Sequence, residues 1–156
     1  MALHATAKAV NVAKSVYARL GPLLAAQGLT VDYEGYRQDL TSASEWVQMR
    51  LLDAGGGDYA GWADADRRGA WKQALLSFNV FVKQPLSNAY RPRTLRDVIL
   101  GQVEIWTTFD LKDYEAGAMS VGSFRVLEVL DDRRIPNDKG WHQHNLTLRL
   151  EWLEKF

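Results

Sequence analysis

Two histidines near the carboxyl end, His142 and His144, are spaced two apart in "HQHNLTLRLEWL". On a strand that spacing points both the same way, so both could reach one metal ion. Zinc and iron sites need a third protein ligand, and no spacing argues for one. The remaining histidine, His4, lies in the opposite terminal segment. Asp64 and Asp66, in the run "DADRR", could serve as a hydrolytic carboxylate pair. A mixed-charge run of this kind more commonly forms a solvated or interface segment. "GGGDYAG", at 55–61, is glycine-rich, but it lacks the Gly-Lys-Ser/Thr ending of a phosphate loop. No Ser-His-Asp set can be assembled from these residues. The reading is therefore no catalytic residue, no metal and no cofactor, with the histidines at the rim of a core strand.

Composition narrows the rest. The chain has 156 residues, the size of one ordinary domain, with 19 Lys plus Arg against 19 Asp plus Glu. A balanced chain lacks the basic excess of a sequence-independent nucleic-acid binder. It has no cysteine, which excludes disulfides and thiolate chemistry. The start "MALHATAKAVNVAK" does not read as a secretory signal, and no apolar run is long enough to span a bilayer. Six Trp, six Tyr and five Phe exceed what a core of this size calls for, and aromatics favour protein interfaces.

The elements follow from periodicity. Val12, Val16 and Leu20 repeat at helical spacing in an alanine-rich segment, so a helix is expected over 3–20. Gly21-Pro22 should break it, with a short second helix from Pro22 to Gln27. Residues 29–40 read as loop. "EWVQMRLL" (45–52) alternates and reads as a strand. "DAGGGDYAGWADADRRGA" (53–70) holds five glycines and reads as a long flexible connection. In "WKQALLSFNVFVK" Ala74, Leu76, Phe78, Val80 and Val82 share a face. A second helix is expected from Thr94, as cap, to Thr108, with Leu95, Ile99, Val103 and Trp106 as its apolar stripe. "DLKDYEAGAMSVG" reads as loop, "SFRVLEVLDD" as the third strand and the histidine segment as the fourth. The expected fold is one α+β domain over 1–156, with an N-terminal helical part at 3–27 and the sheet and second helix at 45–156. Its sheet should be four-stranded and antiparallel, with helices on one face and long inter-strand loops. Ser77, Asn79, Thr147, Arg149 and Glu151 fall on the polar faces, where they suit either plain solvent or a wall lining a wet channel.

The order and length of these elements resemble the tail terminator (tail completion) proteins of long-tailed, lambda-like bacteriophages. The resemblance runs from about Glu45 to Phe156, through "EWVQMRLL", "ALLSFNVFVK", "RTLRDVILGQVEIW", "GSFRVLEV" and "GWHQHNLTLRLEWLEKF". It implies a non-enzymatic virion protein, assembled in the host cytoplasm, that forms a hexameric ring on the head-proximal end of the tail tube. Such a ring stops tube growth and offers a surface to the head connector, and DNA passes through its lumen without sequence-specific binding. Its implied partners are further copies of the chain, the tube protein and the connector; no membrane is involved. On this reading Tyr59, Trp62, Asp64, Arg67, Arg68, Tyr114 and Met119 are the candidate assembly contacts. A head–tail connector or minor tail protein is the alternative within virions, and a small metal-dependent or nucleic-acid-binding protein, with Phe81 and Trp46 as stacking residues, is the alternative outside them.

Overall fold

Alternation of side chains over 71–83 and 141–155 dictates two strands, and they form the centre of the sheet. The computed structural model describes residues 3–64, 67–85, 89–136 and 139–155; for 53–64 and 67 it describes backbone pairing only. The elements are a 3-10 turn (Ala5–Ala7), α1 (Ala9–Ala26), β1 (Val31–Asp32), β2 (Glu45–Asp64), β3 (Arg67–Lys83), α2 (Arg91–Gln102), β4 (Thr108–Asp113), β5 (Met119–Ile135) and β6 (Trp141–Lys155). The strands form one sheet in the order β1-β2-β3-β6-β5-β4, with β1 parallel to β2 and the other pairs antiparallel.

The expected four-stranded antiparallel sheet is thus corrected to a six-stranded mixed one. Two segments not read as strands supply the difference. Val31–Asp32 adds beside Val47 and Gln48, and Thr108–Asp113 pairs with β5. The glycine-rich stretch 53–64 is also strand. It continues β2 antiparallel to β3, with register shifts between Asp53 and Gly56, Gly56 and Ala60, and Trp62 and Asp64. Bulges of this kind absorb surplus residues, and glycine fits them without steric cost. Propensity failed here because strand pairing, not local preference, supplies the hydrogen bonds.

The helices also differ from expectation. α1 runs unbroken through Pro22 to Ala26. Proline inside a helix costs roughly 3 kcal/mol, but Leu20, Gly21 and Leu24 are buried around it, and their packing offsets the loss. Gly21 makes room for a neighbour: a Cβ there would lie 2.7 Å from the Tyr33 ring, which would have to shift. α2 starts four residues earlier than expected, with Tyr90 rather than Thr94 as its N-cap and Pro92 in its first turn, and ends at Gln102. Trp106 lies past that end, so it leaves the apolar stripe and is 63% exposed.

One core joins both helices to one face of the sheet. Val12, Val16, Leu20 and Leu24 of α1 and Leu95 and Ile99 of α2 pack with Val47, Met49, Leu76, Phe78, Val80, Leu146, Leu148 and Leu150. α1 also closes one sheet edge. Lys112 N–H donates to Ser15 Oγ at 2.9 Å and Tyr114 N–H to Asn11 Oδ1 at 3.2 Å, so β4 and the residue after it offer those amides to a helix rather than to another strand. At the other end of the chain, Lys155 N–H donates to Thr6 Oγ1 at 2.8 Å, which ties β6 to the N-terminal turn.

Candidate functional site

The sheet face away from the helices carries the polar residues singled out in the sequence, and cross-strand register assembles them. Ser77 stands opposite Thr147, and Asn79 opposite Asn145. Asn145 Nδ2 donates to Asn79 Oδ1 at 3.1 Å and to Ser77 Oγ at 3.2 Å. Thr147 Oγ1 donates to Asn145 Oδ1 at 3.0 Å, and Gln143 Nε2 donates to Asn79 Oδ1 at 3.3 Å. The result is an uncharged ladder along β3 and β6 whose side chains hydrogen-bond one another. Beside it Trp46 and Phe81 stack with centroids 4.4 Å apart.

Arginines flank the ladder, and each is met by a carboxylate. Arg149 Nη1 lies 2.8 Å from Glu128, Arg133 Nε 3.2 Å from Asp131 and Arg50 Nη2 2.7 Å from the buried Asp32. Arg125 gives Nε, at 2.7 Å, and Nη2 to Glu151 Oε1. The Arg125 guanidinium also lies over two indoles, 5.3 Å from the Trp71 centroid and 5.1 Å from that of Trp106. Each of these arginines already has a carboxylate partner, which lessens what it offers a phosphate. Trp46 and Phe81, read as possible base-stacking residues, stack on each other.

The histidines lie on the other side of the sheet, and both are buried rather than at a rim. His144 Nε2 donates to Asp132 Oδ1 at 2.7 Å. Arg96 of α2 holds both oxygens of that carboxylate, with Nε 3.0 Å from Oδ1. Asp132 is accordingly held below the usual carboxylate pKa, chiefly by the Arg96 hydrogen bond and less by that from His144, with burial opposing. Arg134 Nη2 lies 3.4 Å from His142 Nδ1, and His142 Nε2 lies 3.3 Å from Pro85 O. A guanidinium only donates, so Nδ1 accepts and Nε2–H donates to the carbonyl. These two rings fasten α2 and the segment before it to the sheet. No group of three or more His, Cys, Asp or Glu side chains with metal-binding geometry occurs among the described residues.

The candidate assembly contacts are scattered. Tyr59, Trp62, Asp64 and Arg67 stand on the far part of the β2–β3 hairpin, where side chains lie outside the described residues, as Asp66 does entirely. Arg68 is exposed on β3. Tyr114 and Met119 flank a tight turn rather than a long loop, with Ala118 N–H donating to Asp113 O at 2.8 Å. Tyr114 is held by α1, its hydroxyl donating to Lys14 O at 3.3 Å, whereas Met119 is 65% exposed. The sequence reading missed the Trp71–Arg125–Trp106 cluster and the Arg96–Asp132–His144 link. Both join residues far apart in the chain, and only register brings them together.

No protein-family model and no curated protein matches the chain. Solved structures do match in fold. One, which carries no functional description, superposes with a TM-score of 0.61 at 11% identity, covering 94% of this chain and 96% of its own. Another is a chain of the virion of the native gene transfer agent (GTA) particle, with a TM-score of 0.56 at 17% identity, covering 96% of this chain and 98% of its own. This fold occurs in a virion. The correspondence extends over nearly the full length of both chains, so it concerns the whole domain. No described helix is long and apolar enough to cross a membrane.

Proposed function

We propose that the protein is a structural component of a phage-like virion, a tail terminator whose copies form a ring, hexameric by the family resemblance, on the head-proximal end of the tail tube. The observation that carries this reading is the end-to-end fold correspondence with a chain of the GTA virion. The element order, which resembles tail terminators, supports the finer assignment. The open face supports it physically. A channel wall that passes DNA must not hold it, and a ladder of hydrogen-bonded amides and hydroxyls flanked by carboxylate-paired arginines suits such a wall. The role is structural rather than catalytic, and the partners are the tube protein below and the head connector above.

Deleting the protein and imaging the resulting particles tests the reading. The expected outcome is tails of uncontrolled length that fail to join heads. Tails of normal length joined to heads would refute the terminator assignment.

A further inference from the structure

We infer that the Trp71–Arg125–Trp106 cluster is a docking knob for a second copy of this chain, received in the groove between α1 and the base of the β2–β3 hairpin. The inference rests on the ring reading and names its subunit interface.

The knob presents a tryptophan on a backbone conformation that is costly for any residue but glycine. Trp106 has φ +69°, the left-handed region that side chains other than glycine rarely adopt. The backbone is held there by Trp106 N–H donating to Val126 O at 2.7 Å and Val126 N–H to Thr107 O at 3.0 Å. The ring so placed is 63% exposed, and the preceding Ile105 is 47% exposed. Strain of this kind persists only where the surrounding structure fixes it, and it clusters at functional sites. Arg125, clamped by Glu151 and two indoles, is already ordered, so docking costs little side-chain entropy. Trp and Arg are the residues that dominate interface energies.

The groove has about 710 Å³ of space and apolar walls from Val10, Ala13, Tyr17, Leu51, Ala74 and Trp152. That is ample for an indole and its neighbours. Glu34 and Glu154 also line it and provide carboxylates for Arg125, whose bonds to Glu151 use Nε and Nη2. Lys14 and Lys72 line it as well, Lys14 being held 5.7 Å from the Tyr114 ring centroid.

Placement decides the symmetry. Trp71 and Lys72 are adjacent on β3, as Glu151 and Trp152 are on β6. Side chains alternate across the sheet, so knob and groove lie on its two faces, the knob at the Trp71 end of the open face, six residues along β3 from Ser77, so that docking at that end leaves the polar ladder to the lumen. A copy docking its knob into a neighbour's groove leaves its own groove open for the next copy. That is a heterologous contact, the kind that closes into rings. A two-fold contact would instead set Arg125 against Arg125.

The chain has no cysteine, so the contact can be tested by cross-linking. Ile105→Cys marks the knob and Val10→Cys the groove, both at exposed positions. With a short bis-maleimide, the double variant is expected to give a ladder of covalent multimers and each single variant none. Dimers from Ile105→Cys alone, or an oligomer by sedimentation that yields no ladder, would overturn the interface while leaving the ring reading standing. Wild-type protein that stays monomeric at every concentration, with and without tube protein, would overturn both. Trp106→Gly relieves the backbone strain while removing the ring. It should leave the melting temperature of the monomer unlowered and raise the concentration needed for assembly at least tenfold; unchanged assembly would also overturn the inference.

Discussion

His144 on β6 donates from Nε2 to Asp132 Oδ1 on β5 at 2.7 Å, and Arg96 of α2 holds the same carboxylate. Alternation alone puts His142 and His144 on the apolar side but suggests a rim, where replacement by Gln would cost little. Their burial reverses that expectation. The His142→Gln, His144→Gln double variant should lose about 1–3 kcal/mol, the range for leaving buried polar groups without partners. Urea denaturation near neutral pH measures it.

The same link sets a pH dependence. The folded pKa of Asp132 is depressed, first by Arg96 and then by His144. Its contribution is therefore fully present above the ordinary value of 3.8 and is lost as pH falls below that value through the folded pKa. Asp132→Asn should be less stable than wild type at neutral pH, and the gap should narrow as pH falls through that window. A gap that stays constant down to the acid limb would show that the carboxylate's charge is not what matters.

Gly21→Ala tests the close approach of α1 to the tyrosines. Alanine is the better helix former by roughly 1 kcal/mol. Its Cβ, however, would meet the Tyr33 ring at 2.7 Å, and that ring is stacked on Tyr17 and Tyr36 at centroid distances of 5.4 and 5.2 Å. Overpacking costs about 1–3 kcal/mol, so the expected net effect is a lower melting temperature. A higher one would mean that the stack yields freely.

Phe78 is fully buried at the centre of the core. Phe78→Ala should destabilise by about 3–5 kcal/mol, read by thermal or denaturant unfolding. A variant that melts with wild type would contradict the placement of β3 between β2 and β6.

Asn145→Lys probes the neutral open face under the proposed function. It places an amine opposite Asn79, in the middle of the ladder. Particles should assemble with normal tail length but deliver DNA more slowly, because the added cation holds phosphates. Delivery at the wild-type rate from such particles would remove this face from the DNA path.

Much of the core was legible in the sequence because strand alternation is a local property. Leu76, Phe78, Val80, Leu146, Leu148 and Leu150 declare their shared face by spacing alone, and all are buried. The helical stripe of α1 is legible for the same reason. The polar set Ser77, Asn79 and Thr147 was equally visible as a face, though not as a bonded ladder. What the tertiary structure decided is everything that depends on a partner distant in sequence. Strand 53–64 has glycines that argue for loop, yet it pairs with β3. Val31–Asp32 is too short to announce itself and exists as strand only beside β2. Trp106 fits a helical period that ends before reaching it. His144, Arg125 and Glu151 acquire their roles only when register places Asp132, Trp71 and Trp106 beside them. Spacing along the chain specifies which side a residue faces; hydrogen-bond pairing between strands specifies whom it meets, and that free energy is not contained in any local segment.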